Sequence, residues 1–215
     1  MLTHSFKVFC IGLSFLNASI VFAQSVCTAE SEIIQIAKNS LPVFLEKIPI
    51  GLEEQYGFKS RKEFVTATVG KPFQVFSLSP VFWGDEKLSP QQLIQPLTEW
   101  RIPVIVNGEY RALLTVAKMN DDWKVVDFGA AGLAKELEAF GGKNMVMGNE
   151  VHCILLRIFQ LQCDFVIIKN YDEELSSQKI FPLQSARNIS QINFEDEQSV
   201  SSLMSLIKQA IQAKQ

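Results

Sequence analysis

WRIPVIVNGEYRALLTVAKMNDDWKVVDF, residues Trp100 to Phe128, reads as three strands joined by two tight turns. Trp100 to Val106 is rich in β-branched residues, and Asn107-Gly108 follows as a two-residue hairpin signal, because both positions tolerate the positive φ that such turns need. Tyr110 to Ala117 resumes as a strand, Met119 to Asp122 turns, and Trp123 to Phe128 returns. The expectation is an antiparallel β-meander.

Helical signals flank it. Glu30 to Leu45 carries Ile33, Ile34, Ala37, Leu41 and Phe44 or Leu45 at amphipathic spacing, with Thr28 as N-cap and Pro42 expected to end or kink the helix near Leu41, unless it opens a second short helix. Ile48 to Gly57 reads as irregular. Ser60 with Glu63 resembles a capping box, predicting a short helix over Arg61 to Thr68 that Gly70 ends, and Pro72 to Leu78 alternates as a strand. Gly129 to Gly132 is a small-residue break before a helix over Leu133 to Phe140, ended by Gly141-Gly142. Val151 to Ile168 is strongly apolar and mostly β. Tyr171 to Gln178 is a polar loop, Ile180 to Leu183 a short edge strand, and Ser199 to Ala213 a C-terminal helix with Glu195 to Glu197 ahead of its start, where acids suit the helix dipole.

The fold class is therefore α+β: an N-terminal helix, an antiparallel β-meander core and a C-terminal helix. Over roughly Glu30 to Phe140 this pattern resembles small exported α+β domains of the cystatin-like or nuclear-transport-factor-like kind. No motif residue carries over from either.

The N-terminus sets the expected compartment. Lys7 is the one charge before an apolar run from Val8 to Phe22, and Ala23 ends it ahead of the polar Gln24. That is the layout of a signal peptide over residues 1–23, and the run of roughly 15 residues falls short of the ~20 that span a bilayer. Residues 24–215 then form one α+β domain, with a C-terminal subdomain from about residue 144 as the alternative division. Gln24, Ser25 and Val26 precede Cys27 and fit a lipidation box poorly. A secreted or periplasmic protein is expected, with no membrane span after signal removal.

Removing the signal leaves 19 basic against 23 acidic residues, a net charge of -4, and no Lys or Arg cluster to track phosphates. Nucleic acid is excluded as a partner class. Export leads to an oxidising compartment, so a disulfide among Cys27, Cys153 and Cys163 is expected. A Cys153–Cys163 bridge requires the chain to reverse between them, yet Ile154 to Gln162 contains no Gly, Pro, Asn or Asp to mark a turn. A bridge from Cys27 to one of them is at least as plausible.

His152 is the only histidine beyond the signal. Zinc sites built on two or three histidines are thereby excluded, and a Ser-His or Cys-His mechanism has to use His152. Asn120, Asp121 and Asp122 lack the alternation, glycine and distal glutamate of a calcium loop and read as turn residues. Asp127-Phe128-Gly129 spells a kinase tripeptide without the other kinase elements. Trp83, Trp100 and Trp123 offer sugar-stacking surface, but no spacing selects a carboxylate pair, so they read as core. Asn188-Ile189-Ser190 is a glycosylation sequon, relevant only in a eukaryotic source.

No catalytic, cofactor-binding or metal-ligating residue is assigned, and no cofactor is expected. The expected function is an exported, non-catalytic binding or accessory protein engaging a protein, peptide or apolar ligand on one sheet face. The alternatives are a secreted hydrolase or thiol enzyme using His152 or a carboxylate pair, and an envelope-associated structural protein.

Overall fold

Alternation along Trp100 to Val106 sends Trp100, Ile102, Val104 and Val106 to one side of a strand, and all four are buried. The computed structural model describes residues 16–79, 89–144, 152–170, 173–189 and 197–212, and within them the chain is α+β. Helix α1 spans Leu16–Glu46, followed by 3-10 turns over Glu53–Tyr56 and Arg61–Thr66 and by strands β1 (Thr68–Val69) and β2 (Phe73–Leu78). A four-residue helix α2 (Pro90–Leu93) leads into the meander β3 (Ile94–Val106), β4 (Glu109–Met119) and β5 (Asp122–Gly129), and then α3 (Ala131–Asn144). The second half holds β6 (His152–Ile158), β7 (Cys163–Lys169), β8 (Lys179–Pro182), α4 (Gln184–Arg187), β9 (Gln198–Ser199) and α5 (Val200–Gln212).

The nine strands among the described residues belong to one sheet in the order β5-β4-β3-β2-β6-β7-β8-β9, with β1 beside β3. Their pairings are antiparallel except that of β2 with β6. Two meanders thus begin side by side at the centre and run outward in opposite directions. The resemblance to a helix-on-meander domain covers the first of them, and the parallel seam that adds the second has no local sequence signal.

Leu113 and Leu155 point to one face and pack with Ala134 and Leu137 of α3. Their neighbours point to the other face, where Ala112 and Leu114 join Ile33, Ala37, Leu41 and Leu45 of α1. Ile154 and Leu156 meet Val200, Leu203, Met204 and Ile207 of α5 on that same side. The 3, 4, 7 stripe of each terminal helix is what selects this burial.

Several local expectations are corrected. α1 continues through Pro42 to Glu46, and Thr28 lies inside it instead of capping it. Pro42 is exposed while Leu41 and Leu45 are buried on either side, so the carbonyl that loses its amide partner is left to solvent and packing holds the helix. Ser60 makes no side-chain cap and the segment after it is 3-10; Glu63 instead accepts from the Lys59 amide at 2.8 Å. Gly141 and Gly142 do not end α3, which runs on to Asn144. β8 is not the outermost strand, since β9 pairs with it at Lys179↔Ser199 and Ile180↔Gln198.

The apolar run after Val151 folds back on itself. Phe159 to Gln162 forms the reversal without a Gly, Pro, Asn or Asp, and Gln162 takes the positive φ of 53°. No disulfide follows from it. Ile158 pairs with Cys163 while Cys153 pairs with Ile168, which separates the two cysteines by five positions, roughly 17 Å along the hairpin, far beyond the reach of an S–S bond. The expected disulfide is therefore absent from this pair, and the Cys27 side chain lies outside the described residues.

Candidate functional site

Among the described residues β5 is the end strand of the sheet. Asn120 and Asp121 turn the chain with φ of 50° and 69°, closing the hairpin on Met119 and Asp122. A two-residue turn of this kind makes its flanking residues a hydrogen-bonded pair, and alternation follows from it. Lys124, opposite Ala117, turns its backbone groups toward β4, whereas Trp123 and Val125, opposite Lys118 and Val116, present theirs to the open edge.

The register shifts after Val125, because Val116 faces Val125 while Thr115 faces Asp127. Val126 is the extra residue of a bulge. It is 45% exposed, and it lines a shallow cleft of about 180 Å³ with Phe44, Lys47, Ile48, Tyr56, Asp127 and Phe128. Tyr56 stacks on Phe128 with ring centroids 5.9 Å apart and an interplanar angle of 12°, and Phe44 meets the same ring at 6.2 Å. The Lys47 ammonium lies 4.6 Å from the centre of the Phe44 ring. An open strand edge beside an aromatic wall can take an extended chain by main-chain pairing and seat one apolar side chain in the cleft.

The local sequence builds this wall. The last turn of α1 carries Phe44, the 3-10 turn carries Tyr56, and Gly57 (φ 88°) then redirects the chain so that Phe58 enters the core, 1% exposed. Phe58, Phe64 and Phe128 pack ring against ring beneath the surface.

Arg101, Arg111 and Asp164 are buried charges, and each is paired within the sheet or with the turn beside it. Arg101 donates to Thr115 and sits 2.8 Å from Glu99. Arg157 grips both oxygens of Asp164 at 2.8 and 3.0 Å, and the Asp164 amide donates to Ser185 Oγ. Arg111 is clamped between Glu63 at 2.8 Å and Glu109, and Lys59 reaches Glu109 at 3.3 Å. Hydrogen bonds from Arg111 and Lys59 hold the Glu109 carboxyl below its ordinary range. Arg157–Asp164 ties β6 to β7, Arg101 ties β3 to β4 through Thr115, and Arg111 ties β4 to the 3-10 turn Arg61–Thr66 through Glu63.

The residues singled out in the sequence do not converge. His152 opens β6 opposite Lys169, and its side chain lies outside the described residues. Cys153 is partly buried, and burial pushes its thiol up to about 11, opposite to what an attacking thiolate requires. Cys163 is buried in the cluster under α5. Among the described residues no three His, Cys, Asp or Glu side chains gather as metal ligands. Trp100 is core, Trp123 is half-buried against the α1 cluster, and Trp83 lies outside the described residues, as do Ser190 of the sequon and Glu195 and Asp196. Asp127-Phe128-Gly129 belongs to the open edge. What the sequence left unmarked is the role of Phe44 and Tyr56, which only tertiary packing brings to β5.

Comparison with protein families, curated proteins and solved structures finds no match to this chain. No helix among the described residues is long and apolar enough to cross a membrane.

Proposed function

We propose that this is an exported, non-catalytic accessory protein that works by protein–protein contact, engaging an extended segment of polypeptide along β5. The observation that supports it most is the open edge of an eight-residue strand lying against the cleft of Phe44, Tyr56, Val126 and Phe128. Main-chain bonds to Trp123 and Val125 would supply affinity, and the aromatic cleft would select an apolar anchor. Export rests on the signal-like residues 1–23, and an intact mass beginning at Gln24 tests that part.

Binding is tested by selecting peptides from a random display library against the exported chain. Selected peptides should lose binding to Val126→Glu and Tyr56→Ala variants that keep the parent circular dichroism spectrum. Peptides indifferent to both substitutions would remove β5 as the binding edge.

A further inference from the structure

Resting on the proposal that β5 is a protein-binding edge, we infer that the partner this edge fits is a second copy of the same chain, giving a two-fold dimer with one sheet continuous across both copies. The charge pattern of β5 and the position of its bulge select that partner. Val126 and Asp127 together face Thr115, so they occupy one step of the strand, and the steps from the turn onward are Trp123, Lys124, Val125, the bulge, and Phe128. Phe128 faces Leu114, two steps beyond Val116, and so presents its backbone groups outward as Trp123 and Val125 do.

These steps are symmetric about Val125. Two β5 edges laid antiparallel with Val125 opposite Val125 bring Trp123 opposite Phe128 of the second copy, and all three steps with outward backbone groups coincide. About six main-chain hydrogen bonds form between the copies. Lys124 then stands opposite the bulge of the second copy, the step that carries Asp127, twice. Without the bulge the outward groups of Phe128 would fall out of phase and the opposite charges would not meet. Each of Lys124 and Asp127 is exposed in the single chain. The Lys124 ammonium pairs within the chain with Asp122, at 3.8 Å and on the surface, a contact weak enough to give way to a cross-copy pair. An interface that maps onto itself in this way is isologous, the arrangement that closes a dimer without leading to fibres.

The test is sedimentation velocity on the exported chain over a range of concentrations. The parent chain should dimerise, Lys124→Asp and Asp127→Lys should each weaken the dimer about tenfold or more because like charges then face one another, and an equimolar mixture of the two variants should dimerise again. The double variant Lys124→Asp/Asp127→Lys restores complementarity and should behave as the parent. Each variant is checked for a parent-like melting temperature. A parent that stays monomeric at every concentration, or a dimer indifferent to all of these changes, overturns the inference. If display-selected peptides still depend on Val126 and Tyr56 in either case, the binding edge stands and only its partner is wrong; if they do not, both fall.

Discussion

Gly57 lies directly against the main-chain carbonyl of Arg111: a Cβ placed on Gly57 would stand 2.0 Å from that oxygen. The contact docks the 3-10 turn that carries Tyr56 onto β4, beyond the point where β5 ends, and so fixes one wall of the cleft. Gly57→Ala meets both this clash and a φ of 88°. It should destabilise the fold by about 3 kcal/mol, the upper end for a strained backbone position, and weaken peptide binding at the cleft. Chemical denaturation monitored by circular dichroism checks the first effect.

Gly108 provides the contrast. Its φ is 83°, but nothing lies within 4 Å of the point a Cβ would occupy, so only backbone strain opposes a side chain there. Gly108→Val should cost about 1 to 2 kcal/mol, less than Gly57→Ala. Equal melting temperatures for parent and Gly108→Val would count against the turn geometry at Asn107-Gly108.

Asp164→Ala leaves the Arg157 guanidinium without its carboxylate in a site where Asp164 is 10% and Arg157 27% exposed at the side chain. The loss should be about 2 kcal/mol, between the values for surface and for fully buried pairs. Arg157→Met combined with Asp164→Leu should recover most of it, because removing both partners leaves no uncompensated charge. A double variant as unstable as Asp164→Ala contradicts this role for the pair.

Glu109 gives the fold an acid-sensitive contact. Its carboxyl is held below its ordinary range by hydrogen bonds from Arg111 and then Lys59. The folded chain therefore binds fewer protons at Glu109 than the unfolded chain does. The stabilisation is present above the unfolded carboxylate value and is lost as pH falls through the folded one. Glu109→Gln should flatten the acid limb of the stability profile and leave its shape near neutrality unchanged. Superimposable acid limbs for parent and variant would show that this contact is not linked to folding.

Legibility follows the range of the interactions. The first meander is readable because turn chemistry at Asn107-Gly108 and Asn120-Asp121 is local and the strands between them are β-branched. The reversal at Phe159 to Gln162 is not, because Gln162 takes a positive φ that its side chain does not advertise. Pro42 misleads in the opposite direction: its local cost is real, but the burial of Leu41 and Leu45 outweighs it. The parallel pairing of β2 with β6 joins segments about eighty residues apart (Val75 with Leu155) and leaves no periodic trace in either. Pro103 shows how the sheet absorbs a residue without an N–H: its carbonyl accepts from Gly70 at 2.8 Å on the β1 side, where β4 needs nothing from it. The cleft is illegible for the same reason as the parallel seam. Its aromatic residues come from α1, a 3-10 turn and β5, and each alone looks like ordinary core.

Both the proposed binding function and the proposed dimer require the outer edge of β5 to pair with another strand. Amide hydrogen exchange at Trp123 and Val125 measures it directly, since their N–H groups point away from β4 in the single chain. Both amides should exchange fast in dilute protein and become protected, together with Phe128, when the chain is concentrated or given a selected peptide, while Lys124 is protected throughout. Fast exchange at Trp123 and Val125 under every condition, with partner binding demonstrated, would contradict edge pairing.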